Sequence, residues 1–337
     1  MIVIQRPRAK EFCATMQDYI IDTDISISFS VQYGGKTILE ERYVPDANNQ
    51  VRIRNLGKFC ELSLWGVWCL DYSPQNSSSG TFSFFINEIL DMDCYVMFSP
   101  MHTKKNAETP GVLSEVSMKI THLGSQEFIS GYLLQDPESL KEYGVNIIGY
   151  WPDDSEETLF MTIASTAGGI VSPITINVSA DIISSKFERP GLSSYQIELR
   201  GGAMKFYVDS SQYLNQWCFR YKNVYDMPET LTATGELKLS GNNESDDAAM
   251  YGISRKFGVK VSDEYTMKSG TIILQSDYKL WHNLLNAQEV ELMVNNTWLP
   301  VIVTKQKFER EFRKSILKEV EFNFKMANHE QNNMIDL

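Results

Sequence analysis

Ser276-Asp277-Tyr278-Lys279-Leu280-Trp281-His282-Asn283-Leu284-Leu285-Asn286-Ala287-Gln288 reads as one short helix. Ser276 suits the N-cap, because its hydroxyl can accept from an orphan amide of the first turn. Asp277 then places negative charge at the positive helix end. Tyr278, Trp281, Leu284 and Leu285 recur three and four apart and make one apolar stripe. Downstream, Val320, Phe322, Phe324 and Met326 alternate with Glu321, Asn323 and Lys325, the period of a half-buried strand. Leu299–Thr304 reads as a strand too. Upstream, Phe257, Val259 and Val261 alternate with Gly258 and Lys260. An aromatic helix flanked by one-faced strands is most simply buried as a cover on an antiparallel sheet or sandwich. The fold class expected is mostly β, with an N-terminal β-sandwich region and a C-terminal β-sandwich or barrel carrying one flanking helix over 276–288.

The rest of the chain supports that class. Ile25, Ile27, Phe29 and Val31 alternate with serines and Gln32, Gly34-Gly35 turns the chain, and Thr37–Val44 returns. Pro45-Asp46-Ala47-Asn48-Asn49 is a turn, and Leu56–Leu64 a helical turn with Leu56, Phe59, Cys60 and Leu64 inward. Further strands are expected at Thr81–Asn87, Cys94–Phe98, Ser114–Ile120, Glu127–Leu134, Val145–Trp151, Glu157–Ala164, Ile170–Asp181, Ser193–Leu199, Ala203–Val208, Trp217–Lys222 and Pro228–Leu239. Asp136-Pro137-Glu138-Ser139 has the form of a helix start, with Gly144 as its stop. Gly241–Ala248 is expected to be a polar, acidic, exposed loop. The region 1–199 is expected to be β-sandwich, with two modules split near 100–125. A second unit follows over 200–330, and 331–337 is a polar tail.

Composition narrows the function classes. The formal charge of -12 over 337 residues argues against general nucleic-acid binding, which needs a basic face. Five cysteines at wide spacing suit reduced thiols rather than a disulfide scaffold. No apolar run resembles a signal peptide or approaches the roughly 20 residues of a membrane span. The histidines, His102, His122, His282 and His329, form no zinc-spaced pair. Asp91 and Asp93 lack the glycine and glutamate of a calcium loop and read as a strand-connecting turn. Asp153, Asp154, Glu156 and Glu157 read as a solvated turn beside Trp151. No serine stands in a Gly-x-Ser-x-Gly elbow, and Ala167-Gly168-Gly169 lacks the spacing of a phosphate loop. No catalytic, cofactor or metal residue is assigned.

The order of features over the last 120 or so residues resembles structural tail proteins of tailed bacteriophages and prophages, distal tail (baseplate hub) and tail-tube proteins among them. It runs through Phe219–Lys222, Tyr225-Asp226-Met227-Pro228-Glu229-Thr230, Ser240–Ala248, Tyr251–Met267, the Trp281 helix, Leu299-Pro300-Val301-Ile302-Val303 and Glu319–Met326. Tyr43-Val44-Pro45-Asp46 and Asn55-Leu56-Gly57 resemble, more loosely, the sandwich modules such proteins carry. In distal tail proteins the tube-like domain comes first; here it comes last. The resemblance implies two packed sheets with a flanking helix, self-assembly as a ring, other tail or baseplate proteins as partners, no enzymatic activity, and residence in the virion tail after assembly in the host cytoplasm. It supplies no functional residues. A ring needs a heterologous interface that closes on itself, and the charged segments are the suspected interface: Lys305, Lys307, Arg310, Arg313 and Lys314 on one side, Asp246 and Asp247 on the other. Two other readings stand beside it. One is a carbohydrate-binding or adhesin-like module using Trp65, Trp68 or Trp151. The other is a β-sandwich hydrolase, for which Asp91, Asp93, Asp153 and Asp154 would have to converge.

Overall fold

The computed structural model describes residues 1–64, 78–98, 111–166, 172–307 and 319–327, with backbone alone at 242–244, 250, 257–262 and 306–307. The fold is mostly β, 54% strand against 10% helix, so its helices serve as covers on sheets. Three sets of strands follow one another along the chain, each around its own apolar core.

The first set comprises β1 (Ile2–Gln5), β2 (Lys10–Phe12), β3 (Tyr19–Asp22), β4 (Ile27–Tyr33), β5 (Lys36–Tyr43), β6 (Gln50–Ile53), α1 (Leu56–Ser63), β7 (Ser79–Ile86) and β8 (Ile89–Met97). A three-stranded sheet, β1-β3-β6, faces a five-stranded sheet, β2-β8-β7-β4-β5. Tyr19, Phe29, Phe82 and Phe84 fill the space between them. Gly34 and Gly35 have φ of 56° and 75°, the mirror-image turn whose twist matches a hairpin. On α1, Leu56 and Cys60 point inward, as does Leu64 at its end, but Phe59 is exposed. Asp91 and Asp93 lie within β8; the turn before it is made by Asn87 and Glu88, both at positive φ.

The second set comprises β9 (Met118–His122), β10 (Phe128–Gly131), β11 (Leu134–Gln135), β12 (Glu142–Tyr150), β13 (Glu156–Ser165), β14 (Ile174–Asn177), α2 (Ala180–Ser184), β15 (Ser194–Leu199) and β16 (Gly202–Asp209). Its sheet runs β11-β12-β15-β16-β9, with β13 also on β12, and β9 joins β16 in parallel. The β10–β14 pair and α2 close the core beneath it. Two expectations fail here. Asp136 starts a bend rather than a helix, its carboxylate accepting from the Glu138 amide, and Gly144 sits inside β12. The boundary placed between 199 and 200 cuts a hairpin, since Ser194–Leu199 pairs with Gly202–Tyr207. The change of sheet comes after Asp209, where residues 210–216 run with no strand.

The third set comprises β17 (Trp217–Lys222), β18 (Pro228–Ala233), β19 (Leu237–Met250), β20 (Ile253–Lys268), α3 (Gln275–Asn286), β21 (Val290–Val294), β22 (Thr297–Lys307) and β23 (Glu321–Met326). It forms one curled sheet in the order β18-β17-β21-β22-β23-β20-β19. Helix α3 lays Leu280, Trp281, Leu284 and Leu285 on this sheet, with Trp281 and Phe322 centroids 5.9 Å apart. Leu274, not Ser276, occupies the N-cap position, without a side-chain cap.

The close contact between α1 and the 3-10 turn Cys13–Thr15 yields a test. A Cβ on Gly57 would lie 1.8 Å from the Cys13 carbonyl oxygen. Gly57→Ala is expected to destabilise the chain by about 1–3 kcal/mol through overpacking, read as a lower urea midpoint; an unchanged midpoint would contradict this packing.

Candidate assembly surface

The segment expected as a loop, Gly241–Ala248, is a strand. It lies in β19, which pairs with β20 from Leu237↔Met267 to Met250↔Ile253, with a register shift between Glu244 and Asp246. Tyr251 and Gly252, at φ 53° and 75°, close the hairpin by a two-residue turn. The neighbouring strand β23 reaches β20 only at Tyr265–Lys268. Among the described residues the hairpin therefore runs on past its neighbouring strands from Glu264 to Ile253, roughly 35–40 Å at strand rise. Among the described residues, β19 has no partner on its outer edge, and neither has the 253–264 stretch of β20. At the opposite end of the sheet, β18 is buried and packed against β10. The arm is thus where this sheet keeps open backbone donors and acceptors, the groups that pair readily with another chain.

The arm also carries the expected acids. Asp246 and Asp247 are exposed on β19, opposite Phe257 and Lys256. Tyr251 and Ile253 at its tip are 93% and 61% exposed, while the apolar face expected from Phe257, Val259 and Val261 falls on side chains outside the described ones. Lys305 lies at the other end, on β22, with its ammonium 3.9 Å from Glu264 at the root of the arm. Asp246 and Lys305 are consequently separated by about 20–25 Å along the strand, and one chain does not bring the two charges together. Lys307 belongs to β22 by its backbone. Arg310, Arg313 and Lys314 lie outside the described residues.

Beneath the arm's sheet is a charged junction that sequence reasoning missed. Lys119 on β9 is 1% exposed; it forms an ion pair with Glu127 and donates to the Thr230 carbonyl on β18 at 2.6 Å. The Thr230 hydroxyl donates to Glu127 at 2.8 Å. Glu229, also buried, accepts from Ser114, Asn223 and Tyr221. Burial alone would lower the Lys119 ammonium, but the Glu127 and Glu229 carboxylates outweigh it and hold its pKa above the usual value. Burial pushes the Glu229 carboxyl up, with Lys119 pulling the other way. Glu115 joins α3 to the same junction through Lys279 at 2.8 Å and Asn283 at 2.7 Å. Sequence alternation pointed the other way: Lys119 shares its face with Ser117 and Thr121, opposite Met118 and Ile120, so the pattern reads that face as the wet one although Lys119 and Thr121 are buried.

The alternative site residues do not come together. Asp91 accepts from Tyr19 and Arg6, and Asp93 from Ser83, in the first set of sheets. Asp153 and Asp154 sit in the β12–β13 turn of the second set, where hydrogen bonds from Arg189 and Ser155 hold Asp153 well below the usual carboxylate range. Trp151 is buried, 4% exposed, with its indole donating to Pro190, so it offers no open ring face. Trp65, Trp68, His102, His329 and Ala167-Gly168-Gly169 lie outside the described residues. Among the described residues no group of three or more His, Cys, Asp and Glu side chains is placed to hold a metal ion, and no helix is long and apolar enough to cross a membrane. Cys13, Cys60, Cys94 and Cys218 are buried. No protein-family model matches the chain, and no curated protein matches it.

The junction makes a stability prediction. Lys119→Met would leave Glu127 buried without its counter-charge, and a loss of about 3–5 kcal/mol is expected in denaturant unfolding. A change below 1 kcal/mol would mean that the ion pair is dispensable.

Proposed function

We propose that the chain is a structural component of a phage or phage-like tail or baseplate, made in the host cytoplasm and assembling with copies of itself into a ring in the virion tail. The observation that carries this reading is the β19–β20 arm. Among the described residues this two-stranded ribbon has no third strand over 253–264, and it exposes strand edges, acids and the tip residues Tyr251 and Ile253 to a neighbour. Its acids and the Lys305 region sit far apart on one chain, which suits a head-to-tail contact in which the arm of one copy reaches the root of the next. Other tail or baseplate proteins are the further partners of such a ring. The mechanism is geometric rather than chemical: fixed arms set the spacing of copies, and charge pairing sets their direction.

Light scattering on the purified chain tests it. The wild type is expected to give a ring-sized species, and Asp246→Lys with Asp247→Lys to shift it to monomer with an unchanged circular dichroism spectrum. Adding Lys305→Glu to that variant should restore part of the assembly, since the reversed charges would again meet between copies. A wild type that stays monomeric at high concentration and low salt would sink the proposal.

A further inference from the structure

A small cavity lies where β9 and β16 of the second set meet β18 and the first turn of α3. Its volume is about 40 Å³, enough for a desolvated small ion with one or two waters and too small for an organic ligand. Asp277, Asp209 and His122 face it, together with the hydroxyl-bearing Thr232 and Thr234. Ile272 and Trp281 supply an apolar wall.

The carboxyl of Asp277 singles this cavity out. Asp277 is 8% exposed, and its Oδ1 has no hydrogen-bond partner in the protein, nor has the Thr232 hydroxyl. Buried acceptors left without a donor are costly. The Ile120 amide and the Ser276 hydroxyl act on the Asp277 carboxyl and lower its pKa, but neither meets Oδ1. Lys119 Nζ is spent on Glu127 and Thr230. The Tyr213 hydroxyl and the Ser211 amide are both given to Asp209. Charge is unbalanced in the same sense: one buried ammonium, Lys119, stands against the buried carboxyls of Glu127, Glu229 and Asp277. We propose that this cavity binds a small, hard monovalent cation such as sodium or potassium, held by the Asp277 carboxylate and the threonine hydroxyls, between the second and third sets of sheets. Carboxylate and hydroxyl oxygens are the ligands such ions prefer, and His122 Nδ1 is turned to Asp209 at 3.5 Å. The proposal does not depend on the assembly reading.

The proton is the competitor. Burial raises the Asp277 pKa to about 7, with Lys119 pulling it down and Glu127 pushing it up. The other titratable groups facing it are His122, which burial keeps neutral by lowering its pKa, Tyr213, whose hydrogen bond to Asp209 raises its own, and Asp209. Burial opposes the Asp209 charge, but hydrogen bonds from Ser211 and Tyr213 hold its pKa low. A carboxyl whose folded pKa lies above its unfolded value favours the native state below the unfolded pKa and loses that contribution as pH rises through about 7. A bound cation would replace the lost proton, so its stabilisation should grow above pH 7 and vanish in mild acid.

The test is thermal unfolding of the full chain in sodium or potassium chloride against N-methylglucamine chloride at equal ionic strength. A melting point higher by a few degrees in the small cations at pH 8, no difference at pH 5.5, and loss of the pH 8 difference in Asp277→Asn would support the site. Sodium NMR line broadening that Asp277→Asn abolishes would support it independently. Equal melting points in all three salts at pH 8, or an undiminished cation effect in Asp277→Asn, would overturn it. If that variant does not fold, the wild-type comparison between the two pH values decides alone.

Discussion

One buried ammonium ties the second and third sheet systems together. Lys119 belongs to β9 by its backbone, but its side chain ends on the carbonyl of Thr230 in β18 and on Glu127 at the entry to β10. Taking a lysine out of water costs several kcal/mol, and its carboxylate neighbours offset that cost only in one geometry. Sliding either sheet would leave a charge buried and unpaired. Such a contact adds little net stability and much orientation. It also explains why β18, an edge strand by topology, is buried along its length: β10 lies against it, and the ion pair holds β10 there.

Helix α3 then serves two masters. Leu280, Trp281, Leu284 and Leu285 cover the curled sheet, while Asp277, Lys279 and Asn283 face the second set of strands through β9 and Glu115. A small apolar cluster, with Phe12, Met97, Leu113, Tyr132 and Met227, adds the first set, and Ser78 donates to Asp226 at 2.7 Å. The interior of each set is oily, but what joins the sets is mixed apolar and polar. Their mutual placement is therefore sensitive to charge in a way that each core is not.

The cores were legible in the sequence because each covering element had one wet face and one dry face. Phe322 and Phe324 alternate with polar residues, and the α3 stripe repeats at helical spacing. The arm was illegible for the same reason. Ser245–Ala248 are exposed on both faces, so that stretch needs no alternation, and the polarity of Gly241–Ala248 imitates a loop. The charged junction was hidden in another way. Asp277 reads as a solvated partner of the helix dipole, and only the tertiary approach of β9 buries it. The exposed position of Phe59 and the bend at Asp136 show local rules yielding to what lies opposite them. Lys305 and the Asp246–Asp247 pair were visible as charges, but their separation follows from the length of β20 alone.

The acids on β19 limit how two molecules may approach. If two copies met by laying this same strand edge antiparallel on itself, Glu244, Asp246 and Asp247 would be brought against their own counterparts, with only Lys238 to relieve them. Like charges set opposite one another across paired strands are unfavourable. The edge therefore repels its own twin, and a stray two-fold embrace, the commonest accident of an uncovered strand, is discouraged by the same side chains that keep the ribbon wet.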